Sequence, residues 1–460
     1  MKKICIIGSG PGGYVTAIRA AQLGAQVVLI ERDKDNVGGT CLNWGCIPTK
    51  ALVASAGVYA DMKNAESFGL TVSNPGIDFG KIMERKDGIV TQLRNGIGYL
   101  FKKHNVELIV GNGKIKSPRV VEVETADGIQ EVEADHVIIA TGSESYVSDE
   151  HNFDGINVLT SKEALALTEL PKSMIVLGGG VIACEFAMIF AELGVDVHII
   201  VRSRLLRVWD EEIGKRMTTT IKKKKIKLTT GEQLEKVEPG DGKATVTMEN
   251  GKQFEAEKVL VSIGRSLNSV GIGLEEVGIE TGKSGEILVD EYMQTNVPGV
   301  YAIGDVTNKI QLAHVASAQG IVVVENILKN KEPVAMQYGA VPDCLFTSPE
   351  VAVVGLTEAK AQEKGIETKV GKFPFQASGK ALCIGHNDGF VKIVTDAATD
   401  KVIGMQIMGP HATDLIAEGA LAVQMGVTAE ELAKTIHAHP TLAECVMEAA
   451  EAVHGLSVHS

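Results

Sequence analysis

The sequence predicts an α/β fold with two parallel-sheet units, followed by a C-terminal α+β segment. Three observations predict it. Residues 4–31, ICIIGSGPGGYVTAIRAAQLGAQVVLIE, superimpose without a gap on residues 174–201, MIVLGGGVIACEFAMIFAELGVDVHIIV. Each copy reads as an apolar strand, a glycine turn, a helix and a second apolar strand, the opening of a Rossmann-like dinucleotide-binding domain. A second echo follows, because the run Asp135 to Gly142 (DHVIIATG) resembles Glu257 to Gly264 (EKVLVSIG), one apolar strand ending at a glycine downstream of each copy. Beyond about residue 341 the texture changes and no nucleotide fingerprint occurs.

Taken in order, Gly8, Gly10 and Gly13 of the first copy match Gly178, Gly180 and Ala183 of the second. The three small positions serve a tight turn, backbone approach to a pyrophosphate and close helix–strand packing, with the helix N-terminus facing the phosphates. Glu31 ends the second strand, 23 residues beyond Gly8, where a carboxylate can accept hydrogen bonds from a ribose. Next comes GGTCLNWGCIPTK, in which Cys41 and Cys46 are spaced to close a small disulfide loop. Pro48 suits the first turn of a helix continued by Ala51 to Ala54, and a helix N-terminus favours a thiolate nearby. Residues 74–109 read as a loop and an amphipathic helix, and residues 113–139 as short antiparallel strands around an Ala-Asp-Gly turn. The run Lys222 to Lys225 reads as a solvated helix face. Past residue 388, GFVKIVTDAATDKVIGMQIMG predicts an alternating strand pair, and ATDLIAEGALAVQMG and TAEELAKTI predict helices. Interface formation is the role expected of that segment.

Composition bounds the function. The chain has 460 residues, 45% hydrophobic and 22% charged, an ordinary globular balance large enough for several domains. A formal net charge of -13 argues against nucleic acid and anionic membrane surfaces as partners. Seven cysteines, with one close pair, do not make a secreted disulfide framework, and glycines break the first apolar run too early for a signal peptide. No membrane-length apolar window occurs, so a cytoplasmic location is expected. No metal site is read.

GGTCLNWGCIPTK, the two fingerprints, YAIGDV and HAHPTLAE, in this order, resemble the flavoprotein disulfide reductases. Among them the chain is most similar to those that oxidise the dihydrolipoamide of 2-oxo acid dehydrogenase and glycine cleavage systems. The resemblance covers essentially the whole chain. It implies an FAD-binding domain (1–145), an NAD(P)-binding domain (146–270), a central domain completing the FAD site (271–340) and a dimerisation domain (341–460). FAD would lie on Gly8, Gly10, Gly13 and Glu31, with Asp305 of YAIGDV binding flavin ribityl hydroxyls. Lys50 would sit near flavin N5, paired with Glu185. The resemblance also places Thr40, Thr141, Gly142, Gly264 and Ala313 at the cofactor sites. Cys41 would receive the substrate thiolate, Cys46 would face the flavin, and His439, oriented by Glu444, would take the proton. Glu444 also fits a capping box started by Thr441, and His437 reads as structural. A homodimer with shared active sites is implied, together with a lipoyl-bearing protein partner, either the E2 component or the H protein. No fused lipoyl domain is expected. The alternative is an NADPH-dependent disulfide reductase of the glutathione reductase type, whose motif usually reads PKK where this chain has Pro48-Thr49-Lys50.

One residue departs from the pattern. Glu31 of the first copy aligns with Val201 of the second, where an NAD-specific site would carry an acid. Arg202, Arg204 and Arg207 follow, and arginines offer planar charged forks for phosphate. The expectation is NAD(H) and/or NADP(H), with Arg202 and Arg207 at the cofactor and relaxed or NADP-leaning specificity.

Overall fold

A computed structural model describes residues 1–329 and 331–459. The chain divides into two compact units, residues 1–52, 78–170 and 260–336, and residues 53–77, 171–259 and 337–460. In the first unit, parallel strands run in the order Val300–Ala302, His136–Ile139, Lys3–Ile7, Gln26–Glu31 and Glu107–Val110. Near-continuous apolar runs suit strands covered on both faces, and Ile4, Ile6, Leu29, Ile138 and Ile139 are fully buried. The helix Pro11–Gln22 makes the crossover between the first two strands. It starts so tightly against the strand end that a Cβ on Gly13 would lie 1.8 Å from the Gly8 carbonyl oxygen.

The amphipathic segment forms the helix Phe79–Lys103, its N-terminus closed by the Asp78 carboxylate accepting from Lys81 N–H. Strands Asn112–Ser117, Val120–Thr125 and Gly128–Glu133 form the antiparallel sheet. Residues 271–336 belong to this unit. Val300–Ala302 is an edge strand of its parallel sheet, and Ile287, Val297 and Val306 join its core.

The second unit holds the other fingerprint, with strands in the order Lys227–Thr230, Asp196–Val201, Ser173–Leu177 and Lys258–Val261 and the crossover helix Val181–Glu192. The helix Glu211–Lys223 ends on Lys222 and Lys223, where cations meet the negative end of the helix dipole. Residues 337–460 supply an antiparallel sheet, Asp343–Leu345, Glu350–Gly355, Val402–Gly409, Phe390–Asp396 and Thr368–Pro374. The expected strand pair forms, but its alternation does not mark a solvated face: Phe390 to Thr395 are buried throughout, Lys392 and Thr395 included, and Gln406 on the partner strand is buried as well. Apolar residues of the Ala412–Met425 and Glu444–Ala452 helices share the core of this sheet. Lys392 Nζ meets Asp210 Oδ2 at 2.9 Å and Glu358 Oε2 at 3.3 Å. Lys392 is therefore part of a buried ion cluster rather than of a wet face. No helix among the described residues is long and apolar enough to cross a membrane.

Candidate active site

Gly38 and Gly39, with φ of 94° and 64°, turn the chain into the short helix Gly39–Trp44 that carries Thr40 and Cys41. A Cβ on Gly39 would lie 2.5 Å from the Gly10 Cα, so the cysteine motif opens directly on the fingerprint turn. Gly38 N–H also donates to the Ser9 carbonyl at 3.0 Å. Between the cysteines, the Asn43 amide donates to the carbonyls of Asn36, Val37 and Gly39 at 3.0, 3.1 and 2.9 Å, and its oxygen accepts from Arg94 Nε at 3.2 Å. One side chain thus fastens the whole loop.

Cys46 starts the helix Cys46–Lys63, with Pro48 in its first turn as expected. The pair is in the dithiol form, Cys41 half-buried and Cys46 exposed. The Cys41 thiol is pushed well up from the usual range, first by its hydrogen bond with Cys46, then by burial, with the Lys50 charge opposing. Thiolate character was expected from a helix N-terminus. Cys46 occupies that N-terminus, while Cys41 keeps its proton. The Tyr14 phenol beside them is also pushed up, by burial and then by the Cys41 charge. No motif announced Tyr14.

Gly10 and Gly180 precede the helices Pro11–Gln22 and Val181–Glu192, and neither helix start has a side-chain cap. First-turn N–H groups therefore face outward, as a pyrophosphate requires. Glu31 is buried, and its carboxylate accepts from Ser9 N–H at 3.0 Å, Ser9 Oγ at 2.6 Å and Arg32 N–H at 2.8 Å. A carboxylate has about four lone-pair sites, so a ribose hydroxyl can still be accepted. Asp305 sits in the turn Gly304–Thr307, held by the Ser143 hydroxyl and with Arg265 Nε 3.6 Å away. Arg265 also donates to Ser143 Oγ and to the Ser143 carbonyl, both at 2.7 Å, and Gly304 N–H donates to the buried Gln319 at 2.6 Å. Ser143, Arg265 and Gln319 escaped the sequence reading. This uncapped, glycine-flanked start with two buffered carboxylates fits an FAD. Thr141 Oγ1 donates to the Asn268 carbonyl at 2.7 Å; Gly142 and Gly264 close the two echoed strands at φ of 71° and 154°, and Ala313 begins the helix Ala313–Leu328.

In the second unit Gly178 has φ of 131°, and buried Glu185 accepts from Phe346 N–H at 2.9 Å. Arg202 and Arg207 are exposed. Arg204 is not the phosphate fork the sequence suggested. Its guanidinium donates to the carbonyls of Leu205, Leu206, Arg207 and Trp209 at 3.3, 3.2, 2.9 and 2.9 Å, and so holds its own loop.

His439 Nδ1 and Glu444 Oε1 lie 2.8 Å apart, and Glu444 Oε2 accepts from Thr441 N–H at 2.8 Å. The capping-box alternative is thus half present: the backbone bond forms, but Glu444 is the first residue of the helix Glu444–Ala452 rather than its third. The His439 side chain is 81% exposed. His437 is enclosed, with one ring nitrogen on the Thr435 carbonyl at 2.8 Å and the other on Glu418 at 2.7 Å. Leu421, Met425 and Ile436 of the same unit are exposed apolar side chains.

The sequence model of the pyridine nucleotide-disulphide oxidoreductases matches residues 2–320, and that of their dimerisation domain residues 341–450. Dihydrolipoyl dehydrogenase of Bacillus subtilis is 43% identical, covering 99% of this chain and 98% of its own. The Halobacterium salinarum enzyme of that name is 42% identical over 99% and 97%. The mitochondrial one of Pisum sativum is 41% identical over 99% and 92%. Among solved structures, LpdA from Mycobacterium tuberculosis superimposes with a TM-score of 0.93 at 30% identity, covering 98% of this chain and 99% of that one.

Proposed function

The chain belongs to the pyridine nucleotide-disulphide oxidoreductase family, and from that premise we propose that it is a dihydrolipoyl dehydrogenase, binding FAD on the first fingerprint and NAD(H) on the second. Its dimerisation domain makes it a homodimer. The observation that carries the reading is the cysteine motif seated on Gly10, which supports a Cys41–Cys46 pair working at the mouth of an FAD cradle.

Bound FAD supplies a two-electron acceptor for the dithiol and a hydride donor for the nicotinamide. The chain's own residues do the sulfur chemistry. In the oxidised enzyme Cys41 and Cys46 form a disulfide. A dihydrolipoyl thiol gives its proton to a ring nitrogen of His439, and the thiolate attacks Cys41. That bond displaces Cys46 as a thiolate, and the second substrate thiol then displaces Cys41, leaving a lipoyl disulfide and the protein dithiol. Glu444 holds the ring so that its other nitrogen is free to take the proton. Lys50 keeps positive charge near the pair and favours the thiolate that results.

The exposed base, with Leu421, Met425 and Ile436 exposed on the same unit, supports a site completed by the second protomer, His439 serving the partner's disulfide. The four-part division at 145, 270 and 340 is retained as the functional partition. A lipoyl-bearing E2 component or H protein is the proposed partner, and the cytoplasm the compartment, since seven cysteines with one close pair do not make a secreted disulfide framework. The test is Cys41→Ser and Cys46→Ser in the holoenzyme. Each is expected to abolish dithiol-dependent flavin reduction while FAD stays bound, and dithiol turnover persisting in both would overturn the proposal. Glutathione disulfide with NADPH is the control for the alternative, and no turnover is expected there.

A further inference from the structure

The chain contains its own control for cofactor recognition, because one residue pair differs between its two βαβ units. In the first, Glu31 and Ser9 bond through both the hydroxyl and the backbone N–H of Ser9. In the second, Val201 stands at the position of Glu31 and Gly179 at that of Ser9. The two changes belong together. A Cβ on Gly179 would lie 2.5 Å from Val201 Cγ2, so the buried valine fills the room that the serine side chain takes in the first copy. Both the carboxylate and the hydroxyl that steadies it are gone.

The loop after Val201 is firmly held. Leu206 N–H donates to the Gly179 carbonyl at 2.7 Å, Arg204 ties four carbonyls of the loop, and Trp209 Nε1 donates to Asp343 at 2.8 Å. With Arg204 committed, Arg202 and Ser203 are left exposed at the strand's carboxyl end. Arginine alone does not decide the matter, since Arg32 occupies the same place in the first copy. The surroundings decide it. Residues 31–35 bring three carboxylates and two cations, whereas residues 201–207 bring three arginines and no carboxylate.

We propose that the second site admits a dinucleotide with a 2′-phosphate, NADP(H), at least as well as NAD(H). Val201 is the residue that permits it, and Arg202 is the one that meets the phosphate. The proposal rests on reading the second fingerprint as the nicotinamide dinucleotide site. A carboxylate at this strand end accepts the 2′-hydroxyl and repels a 2′-phosphate; its replacement by a methyl-bearing side chain removes the repulsion, and a guanidinium supplies charge-assisted bonds.

The experiment is calorimetric titration of the FAD holoenzyme with adenosine 2′,5′-bisphosphate and with AMP, alongside kcat/KM for NADP and NAD. The bisphosphate is expected to bind at least as tightly as AMP. Arg202→Met should weaken it about tenfold or more, leaving AMP within about twofold. Gly179→Ser with Val201→Glu rebuilds the first copy's pair and should turn the ratio toward AMP by at least about tenfold. AMP binding with the bisphosphate weaker, or Arg202→Met weakening both alike, overturns this inference and leaves the site reading intact. Failure of both nucleotides to bind overturns the site reading and the inference with it.

Discussion

Glu444 bonds in two directions, to the Thr441 backbone on one oxygen and to His439 on the other. Desolvation pushes its carboxyl up, but the Thr441 N–H and the His439 ring prevail and hold it below the ordinary range. It is thus an anion at working pH, suited to steady an imidazolium. Glu444→Gln keeps an acceptor for Thr441 and removes the charge. We predict that kcat falls by between about tenfold and a thousandfold while thermal stability and FAD content hold, measured by steady-state kinetics and melting. Equal losses of activity and FAD would mean that the residue only shapes the loop. Asn43 gives the contrasting prediction: Asn43→Leu frees three loop carbonyls and should lower FAD retention, read by flavin release on dilution. At this scale the sequence spoke clearly only where chemistry forces residues into one short motif. Cys41, Cys46, His439 and Glu444 were legible for that reason. Ser143, Arg265 and Gln319 were not, because they reach Asp305 or its turn from distant segments, and no local spacing records the approach.

Elements in the C-terminal segment are held by buried charge that periodicity could not reveal. Lys392 lies inside, facing Asp210, Glu212 and Glu358; desolvation pulls its pKa down, but these carboxylates more than restore it, so it stays charged. Asp210 is also the cap of the helix Glu211–Lys223, accepting from Glu212 N–H at 2.8 Å. Lys392→Met removes one side of a buried pair and should cost about 3 kcal/mol, seen as a lower melting midpoint at unchanged FAD content. A second buried carboxylate, Glu448, pins the chain end: it accepts from the Ser457 hydroxyl and Val458 N–H at 2.7 and 3.0 Å and pairs with the His459 ring. Burial pushes Glu448 up, yet these bonds win and its pKa is lowered from 4.5, while His459 is raised from 6.5 by the same carboxylate. The signs follow. Glu448 stabilises the tail fully above about pH 4.5 and loses that as pH falls; His459 contributes below about pH 6.5 and loses it as pH rises through its raised value. Protection of the amides of residues 457–459, after the intrinsic pH dependence of exchange is removed, should be greatest between those limits, and Glu448→Gln should flatten the dependence. Helices and parallel strands were readable from the repeat, since local pattern and fold agree there. The burial of the strand Phe390–Asp396 was not legible because Lys392 finds ionic partners and Thr395 a backbone carbonyl, and alternation cannot tell a paired polar group from a wet one.

For the whole molecule, the decisive separation is between the cysteines and the base, about 400 residues apart in sequence and in different compact units. The sequence placed them in one site by resemblance alone, since periodicity carries no information about a second protomer. The dimerisation domain, the exposed His439 and the exposed Leu421, Met425 and Ile436 all suit a closed two-fold assembly. If the base serves the partner's disulfide, complementation between dead chains has a fixed arithmetic. A Cys41→Ser chain and a His439→Ala chain are each inactive as homodimers. In a heterodimer, the intact cysteines of one chain meet the intact histidine of the other, giving one live site of two. Statistical exchange makes about half the dimers mixed, so co-expression should recover about a quarter of wild-type activity. Sites built within one chain give no recovery at any mixing ratio. The recovered activity should also fall on dilution in step with dimer dissociation, because a site shared between protomers exists only in the dimer.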